Sequence, residues 1–479
     1  MFGSQSENIY PDENPQRTRY VLENGKVVYL KRGDRDIFQL LHHFTFLANY
    51  QVIYFLKYLY GESPETVRKR YRRFRDKGIL LSKPYSRGWG SPYKIYFYLS
   101  QKGFNLLKET QLVPEDDEYK SNFRRIGGMG TKDHFFAIRD AILLSLIEAG
   151  RIETDENETS FRKNLVLINP NKLTEPMIVP KDQFSHEKIV PDWIIKIPAP
   201  ATNPDLSNYL TTAKDEYLYY EIDNSNQKSE AIQRKVKKYI QWARLRANEK
   251  HRVLFPVIDR SLPDLKYDID IADKRIRVGN LKNYILEICL KTRPFPENLA
   301  FYVFSIGRTG KIARNLMYEE YQNKRRMRNQ LLSAIKMVQT NNPHYKFHFK
   351  EIDPNAVYRA DVRKEEHGEL ILEFSIHGYK RIVIFKLMEE GNVHDYDILE
   401  YHNVMMGDDS FRVKVDDIIA VYQTKEELMS DVLEHNWRHV LFTDIESIKA
   451  GAKSDNIRLL RYRDNVSSYE DRFEEVTIL

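Results

Sequence analysis

The chain has 479 residues, 42% of them hydrophobic and 30% charged, with a formal net charge of +6 and one cysteine. That length exceeds what one hydrophobic core holds, so two or three domains are expected. No apolar run reaches the roughly 18–20 residues a membrane span needs, and the polar start Met1–Glu7 lacks a signal-peptide core. Cys289, in the apolar run Tyr284–Leu290, reads as a reduced core thiol; a single cysteine excludes an intramolecular disulfide and a cysteine-based zinc cluster, so a cytoplasmic protein is expected.

The basic charge is local. Ser63–Lys77 holds seven Lys/Arg and two acids, whereas Arg463–Leu479 holds five acids and two bases. Residues 1–30 read as a tail with a short strand at Val27–Leu30. Asp34–Phe46 has helical spacing at Ile37, Leu40, Leu41 and Phe44, and a second helix is expected over Ala48–Tyr58. Ser63 is an N-cap with Pro64 at the first helical position, which predicts a third helix over Pro64–Lys77, stopped by Gly78. Val67, Tyr71 and Phe74 form its apolar stripe. Arg68, Arg72 and Arg75 form an outward stripe, joined by Lys69, Arg70 and Arg73. Strands at Ile79–Leu81 and Tyr93–Leu99 flank a turn carrying Arg87 and Trp89, and Ser100 caps a helix over Gln101–Lys108. Three helices, a hairpin and a closing helix predict a winged helix over residues 31–112. Its third helix would enter the major groove of double-stranded DNA through Arg68, Lys69, Arg72, Arg73 and Arg75, with Arg87 on the wing.

Residues 113–130 read as a linker, acidic at Glu115–Glu118 and glycine-rich at Gly127–Gly130. A strong helix follows over Lys132–Ala149. On it His134 reads as a core-edge histidine rather than a catalytic one, and Glu148 as a surface acid. Arg151–Lys188 is irregular, with strands near Glu158–Phe161 and Leu165–Ile168. Strands are expected at Ile189–Ile197, Glu216–Ile222, Val253–Ile258 and Leu299–Ser305, with helices at Ser229–Arg244 and Leu281–Lys291. Lys311–Thr340 reads as helical and carries a basic knot at Lys324–Arg328. Beyond Tyr345 the pattern changes, with strands at Leu370–His377 and Arg381–Leu387 and helices around Asp416–Tyr422 and Lys425–Glu434.

The chemistry concentrates at Lys188–Tyr239. Asp192 starts one strand and Glu221 lies near the end of another, 29 residues later. Adjacent antiparallel strands would bring the two carboxylates together, and period two would turn Asp223 to the same face. Two carboxylates can hold Mg²⁺ or Mn²⁺ while leaving positions for water and a phosphate. Acids alone repel a phosphodiester, so a cation is needed; Lys235, one turn before Tyr239, is the first choice and Lys228 the second. The bland alternative is a set of strand-end acids beside a solvated helix edge.

Pro191-Asp192 followed by Glu221-Ile222-Asp223 resembles the metal-binding core of the PD-(D/E)xK nuclease superfamily, in which a lysine follows the Glu by two residues. Here Asp223 stands in that place. Lys235-Val236-Lys237-Lys238-Tyr239 resembles the Gln-x-x-x-Tyr helix of one branch, with Lys for Gln. The order of winged helix, PD, E-x-D and K-x-x-x-Y is similar to the replication-relaxation family of bacterial plasmid proteins, over about residues 34–260. The resemblance implies DNA as partner and a role in plasmid or mobile-element replication and DNA relaxation.

The expected fold is thus multidomain α+β. It comprises the N-terminal winged helix, a central α/β restriction-endonuclease-like core at residues 131–320, a basic helical connector at 321–344 and a C-terminal mixed α/β region at 345–479. Two functional readings stand. One is a Mg²⁺- or Mn²⁺-dependent nickase using Asp192, Glu221, Asp223 and Lys235, with metal on Asp192 and Glu221. The other is a non-catalytic replication initiator or regulator that keeps the nuclease fold as a scaffold. Replication or conjugation proteins are further partners under either reading, and a winged helix is compatible with a homodimer. No G-x-x-x-x-G-K-[ST] run marks a P-loop, and the histidine cluster of rolling-circle relaxases is missing. Gly307–Gly310 reads as a basic glycine turn, and His42-His43 as structural.

Overall fold

A computed structural model gives the fold and describes residues 18–21, 25, 27–85, 94–119, 132–155, 165–170, 176–181, 185–199, 214–224, 227–259, 275–292, 294–318, 320–341, 348–362, 367–376, 379–431, 433, 437–454, 458–462 and 473–477. Arg87, Trp89 and the strand expected at Glu158–Phe161 lie outside them. The described residues form an α+β fold with several sheets and 13 α-helices, none long and apolar enough to cross a membrane.

β1 (Thr18–Val21) and β2 (Val27–Leu30) form an antiparallel ribbon. α1 (Arg32–Phe44), β3 (Leu47–Ala48), α2 (Asn49–Tyr60), α3 (Pro64–Asp76), β4 (Leu80–Tyr85), β5 (Lys94–Leu99) and α4 (Gln101–Glu109) follow. β3, β5 and β4 make a three-stranded antiparallel sheet against the helices, the element order expected of a winged helix. The local reasons are those read in the sequence. The Ser63 hydroxyl accepts from the Thr66 amide at 3.3 Å, Pro64 needs no amide partner at the first turn, and Gly78 takes φ +72° to end α3. Val67, Tyr71 and Phe74 are buried.

α5 (Lys132–Asp155) leads into β6 (Val166–Ile168), the hairpin β7 (Met177–Pro180) and β8 (His186–Ile189), then β9 (Trp193–Ile197) and β10 (Glu216–Tyr220). α6 (Ser229–Leu245), β11 (Lys250–Val257), α7 (Arg275–Lys291) and β12 (Leu299–Ser305) complete this part. The sheet order is β12-β11-β10-β9-β6: β6, β9 and β10 form an antiparallel meander, and β11 and β12 continue it in parallel. Period two divides β10 between two cores. Leu218, Tyr220 and Ile222 pack with α1, α2 and α5, while Tyr219 packs with α6 and α7.

The region after 308 is less regular in sequence than in structure. α8 (Thr309–Tyr318) and α9 (Glu320–Asn341) replace the single helix expected at Lys311–Thr340. Gly310 explains how closely α8 lies on α5: a Cβ there would stand 2.8 Å from the Leu144 carbonyl oxygen. α9 buries Met327, Leu331, Ala334, Ile335 and Val338 in the core of the sheet that follows.

That sheet has seven strands in sequence order: β13 (His348–Glu351), β14 (Leu370–Ile376), β15 (Tyr379–Leu387), β16 (Asp417–Tyr422), β17 (Val440–Asp444), β18 (Arg458–Tyr462) and β19 (Phe473–Thr477). β15, β16 and β17 are parallel and the outer pairs antiparallel. α10 (Pro354–Val357), α11 (Val393–Gly407), α12 (Lys425–Ser430) and α13 (Ile445–Ser454) connect the strands. The helix expected around Asp416–Tyr422 is therefore strand β16. Its run Ile418–Tyr422 is buried on both faces, so it shows no alternation, and a short apolar run carries no period that tells strand from helix.

The parts are fastened together. The guanidinium of Arg139 on α5 is buried and donates to the carbonyls of Phe44, Phe46 and Phe135. The Gln51 amide on α2 donates to the Phe136 carbonyl at 2.9 Å and to Asp140 at 2.5 Å. Further on, Lys282 of α7 and Asp431 after α12 form a buried pair at 2.7 Å, and Tyr422 also donates to that carboxylate.

Candidate functional site

The antiparallel register of β9 and β10 pairs Trp193 with Tyr220. One step further, the Asp192 amide donates to the Tyr220 carbonyl at 2.9 Å, so Asp192 stands opposite Glu221 at one end of the sheet. An Asp192 oxygen accepts from the Ile222 amide at 2.7 Å, next to Glu221 in the chain. The two carboxylates are thus brought together from strands that are distant in sequence. The site lies where helices from both faces of the sheet reach its end.

From α6, Lys235 donates to Glu221 at 2.5 Å and the Tyr239 hydroxyl donates to its other oxygen at 2.7 Å. Lys235 and Tyr239 are four residues apart, which stacks them on one helix face. Burial pushes the Glu221 carboxyl up, the charge on Lys235 pulls it back, and Asp192 raises it again; the net direction is upward. Burial alone would depress the Lys235 ammonium, but Glu221 beside it holds it above its ordinary value. Lys228, the second choice, is exposed at the N-cap of α6.

Two expectations change. His134, read as a core-edge residue, stands in the first turns of α5 with its Nε2 3.0 Å from the second Asp192 oxygen. Its Nδ1 is buried without a hydrogen-bond partner. Sequence spacing could not find this contact across 58 residues, although His134 does open the helix that precedes the meander. Asp223, expected to join the other acids, instead accepts two hydrogen bonds from Arg277 of α7, at 2.8 and 2.7 Å. The cause is topological. Asp223 is already paired as a parallel bridge with Val257, and the neighbouring helix α7 supplies a guanidinium there. Among the described residues, no group of three or more His, Cys, Asp or Glu stands in metal-holding geometry. The acid set is a pair.

On α3, Arg68, Lys69, Arg72, Arg73 and Arg75 are all exposed, and Lys69 lies 2.6 Å from Glu65 one turn before it. Arg70, placed on the same outward stripe in the sequence, turns inward. Its guanidinium contacts Asp34 at 2.8 Å and Glu62 at 2.5 and 2.9 Å, with 13% of the side chain exposed. Burial pushes the Asp34 carboxyl up to about 6 despite that guanidinium. The outward basic face of α3 therefore comprises five of its six Lys/Arg residues.

Residues 38–258 match the family described as replication-relaxation, a stretch that begins within α1 and takes in α2, α3, α5 and the carboxylate pair. No curated protein matches the chain. Two solved structures show low similarity. Bacillus subtilis PadR in complex with operator DNA aligns at 12% identity over 26% of this chain and 80% of that one, with a TM-score of 0.15. The restriction endonuclease FokI aligns at 13% identity over 62% of this chain and 47% of that one, with a TM-score of 0.19. Both scores are too low to carry a fold assignment.

Proposed function

We propose, from the replication-relaxation match over residues 38–258 and the site geometry, that the protein binds double-stranded DNA and nicks it with Mg²⁺ or Mn²⁺ during plasmid or mobile-element replication. The observation that carries the reading is the placement of Asp192 opposite Glu221 with Lys235 on Glu221. α5, the β6-β9-β10 meander, α6 and β11 follow the order of a restriction-endonuclease-like core, and residues 31–112 serve as a winged helix.

The donor set fits a hard divalent cation. Carboxylate oxygens keep a spare lone pair beside each hydrogen bond, and a second cation would offset the burial, and the smaller repulsion from Asp192, that lift Glu221. Asp192 and Glu221 would hold the ion, which when bound supplies Lewis acidity toward a phosphoryl oxygen. His134 orients Asp192, Tyr239 fixes Glu221, and Lys235 offers the phosphate a positive charge. α3 docks in the major groove through Arg68, Lys69, Arg72, Arg73 and Arg75.

One observation favours the non-catalytic reading: Asp223, in the place of the superfamily's lysine, is fully engaged by Arg277. Supercoiled plasmid separates the two. Nicking that needs Mg²⁺ or Mn²⁺, stops with EDTA and is lost in Asp192→Ala supports the enzyme; nicking that survives Asp192→Ala, or none at all, leaves the DNA-binding scaffold.

A further inference from the structure

A cation-rich surface adjoins the carboxylate pair without taking part in it. The hairpin β7–β8 packs Met177, Val179 and Ile189 against Ile232, Val236 and Tyr239 of α6. Period two turns the alternate residues outward. Ile178 and Lys188, directly opposed across the hairpin, are both exposed. The chain then runs through exposed Val190 and buried Pro191 straight to Asp192.

α6 supplies the rest. Lys238 donates to the Lys188 carbonyl at 3.4 Å and pairs with Glu187 at 2.9 Å, while Lys181 stands 3.8 Å from the same carboxylate. Lys181 and Lys188 are exposed, as are Arg234 and Lys237. Lys238, Lys181 and Arg234 all bear on Glu187. Lys235 and Lys238 are three residues apart and so share a helix face; one serves Glu221 and the other the hairpin. Three cations, Lys181, Arg234 and Lys238, thus bear on the acid Glu187, and exposed Lys188 and Lys237 add two more on the same hairpin and helix. A solvated helix face would normally interleave its charges.

We propose that the β7–β8 hairpin and the exposed face of α6 form a phosphate track that seats the DNA backbone beside Asp192 and Glu221, as a contact surface separate from α3. The cations bind phosphates through counterion release, and Ile178 and Val190 offer apolar surface to the sugars. The purpose of the track rests on the nuclease-type reading; its existence as a DNA contact does not.

The test uses the full chain carrying Asp192→Ala, in EDTA, with a short duplex followed by fluorescence anisotropy across a salt series. The triple change Lys188→Gln, Arg234→Gln and Lys237→Gln should lower the slope of log K against log salt by about 3, since each lost phosphate contact removes about 0.9. An unchanged slope overturns the proposal. A photo-crosslinking residue at position 188 should join to the duplex; a crosslinker at position 72 that joins while the one at 188 does not also overturns it. Because neither readout needs turnover, a reduced slope with no nicking by the unaltered protein would leave the track standing and remove the nuclease reading alone.

Discussion

Lys235 and Glu221 meet at 2.5 Å, fourteen residues apart, with Glu221 buried and Lys235 keeping 32% of its side chain exposed. The pair has a structural cost as well as a chemical use. Replacing Lys235 by Met leaves a buried carboxylate with Tyr239 as its remaining side-chain donor. The expected loss is about 2–4 kcal/mol, reduced from the usual cost of breaking a buried pair because Lys235 is partly solvated. Urea unfolding checks this, and Lys235→Met combined with Glu221→Gln should recover much of it.

If α3 is the proposed DNA contact, its residues divide between binding and stability. Arg72→Ala with Arg73→Ala should flatten the salt slope of duplex binding by about 2 and leave the melting temperature nearly unchanged. Arg70→Ala should do the reverse. It strips the guanidinium from buried Asp34 and from Glu62, at about 3 kcal/mol, with little change in slope. Parallel melting and binding curves on the two variants decide it.

Lys282 and Asp431 are both buried, and they tie α7 to the seven-stranded sheet. Lys282→Met would leave Asp431 charged and buried, with a loss of about 3–5 kcal/mol. Since the two sheets also share a core, the variant should unfold both in one transition at a lower urea midpoint. A separate early transition in the 345–479 region would contradict that coupling.

His251 gives a pH dependence. Burial pushes its imidazole down to about 4; the hydrogen bond to the Arg246 carbonyl pulls it back in part, and the charges of Arg252 and Arg246 add to the fall. Its Nδ1 lies 3.1 Å from the Tyr219 hydroxyl and its Nε2 3.3 Å from the Arg246 carbonyl, a set that suits the neutral ring. The unfolded chain takes up the proton near 6.5 and the folded one only near 4. Stability is therefore full above 6.5 and falls as pH drops through that window, by about 2 kcal/mol between pH 6.5 and 5. His251→Gln should lose this slope in urea titrations at the two pH values.

The local signals were legible wherever the physics is local. The Ser63 cap, Pro64 and Gly78 place α3 to within a residue, and the order of Asp192, Glu221 and Lys235 anticipates their meeting because strand pairing and helix spacing decide it. What the sequence hid is partner choice across distance. His134 reaches Asp192 and Arg277 reaches Asp223 only through the packing of α5 and α7 on opposite faces of the sheet. Arg70 shares a stripe with its neighbours, and spacing alone cannot show that Asp34 lies beneath it. The hairpin β7–β8 reads as irregular in the sequence, since its four-residue strands carry little apolar–polar alternation.

Arg139 has one more consequence. Its contacts with the Phe44 and Phe46 carbonyls, with Gln51 beside them, fix α5 to the unit that carries α3, and His134 on that same helix touches Asp192. A DNA molecule held at both ends of this connection would be gauged by the protein itself. Under the proposed function, the offset between the bases met by α3 and a phosphate facing Glu221 would be a constant of the fold, rather than of any tether, and would shift only if α5 were lengthened or its anchor at Arg139 released.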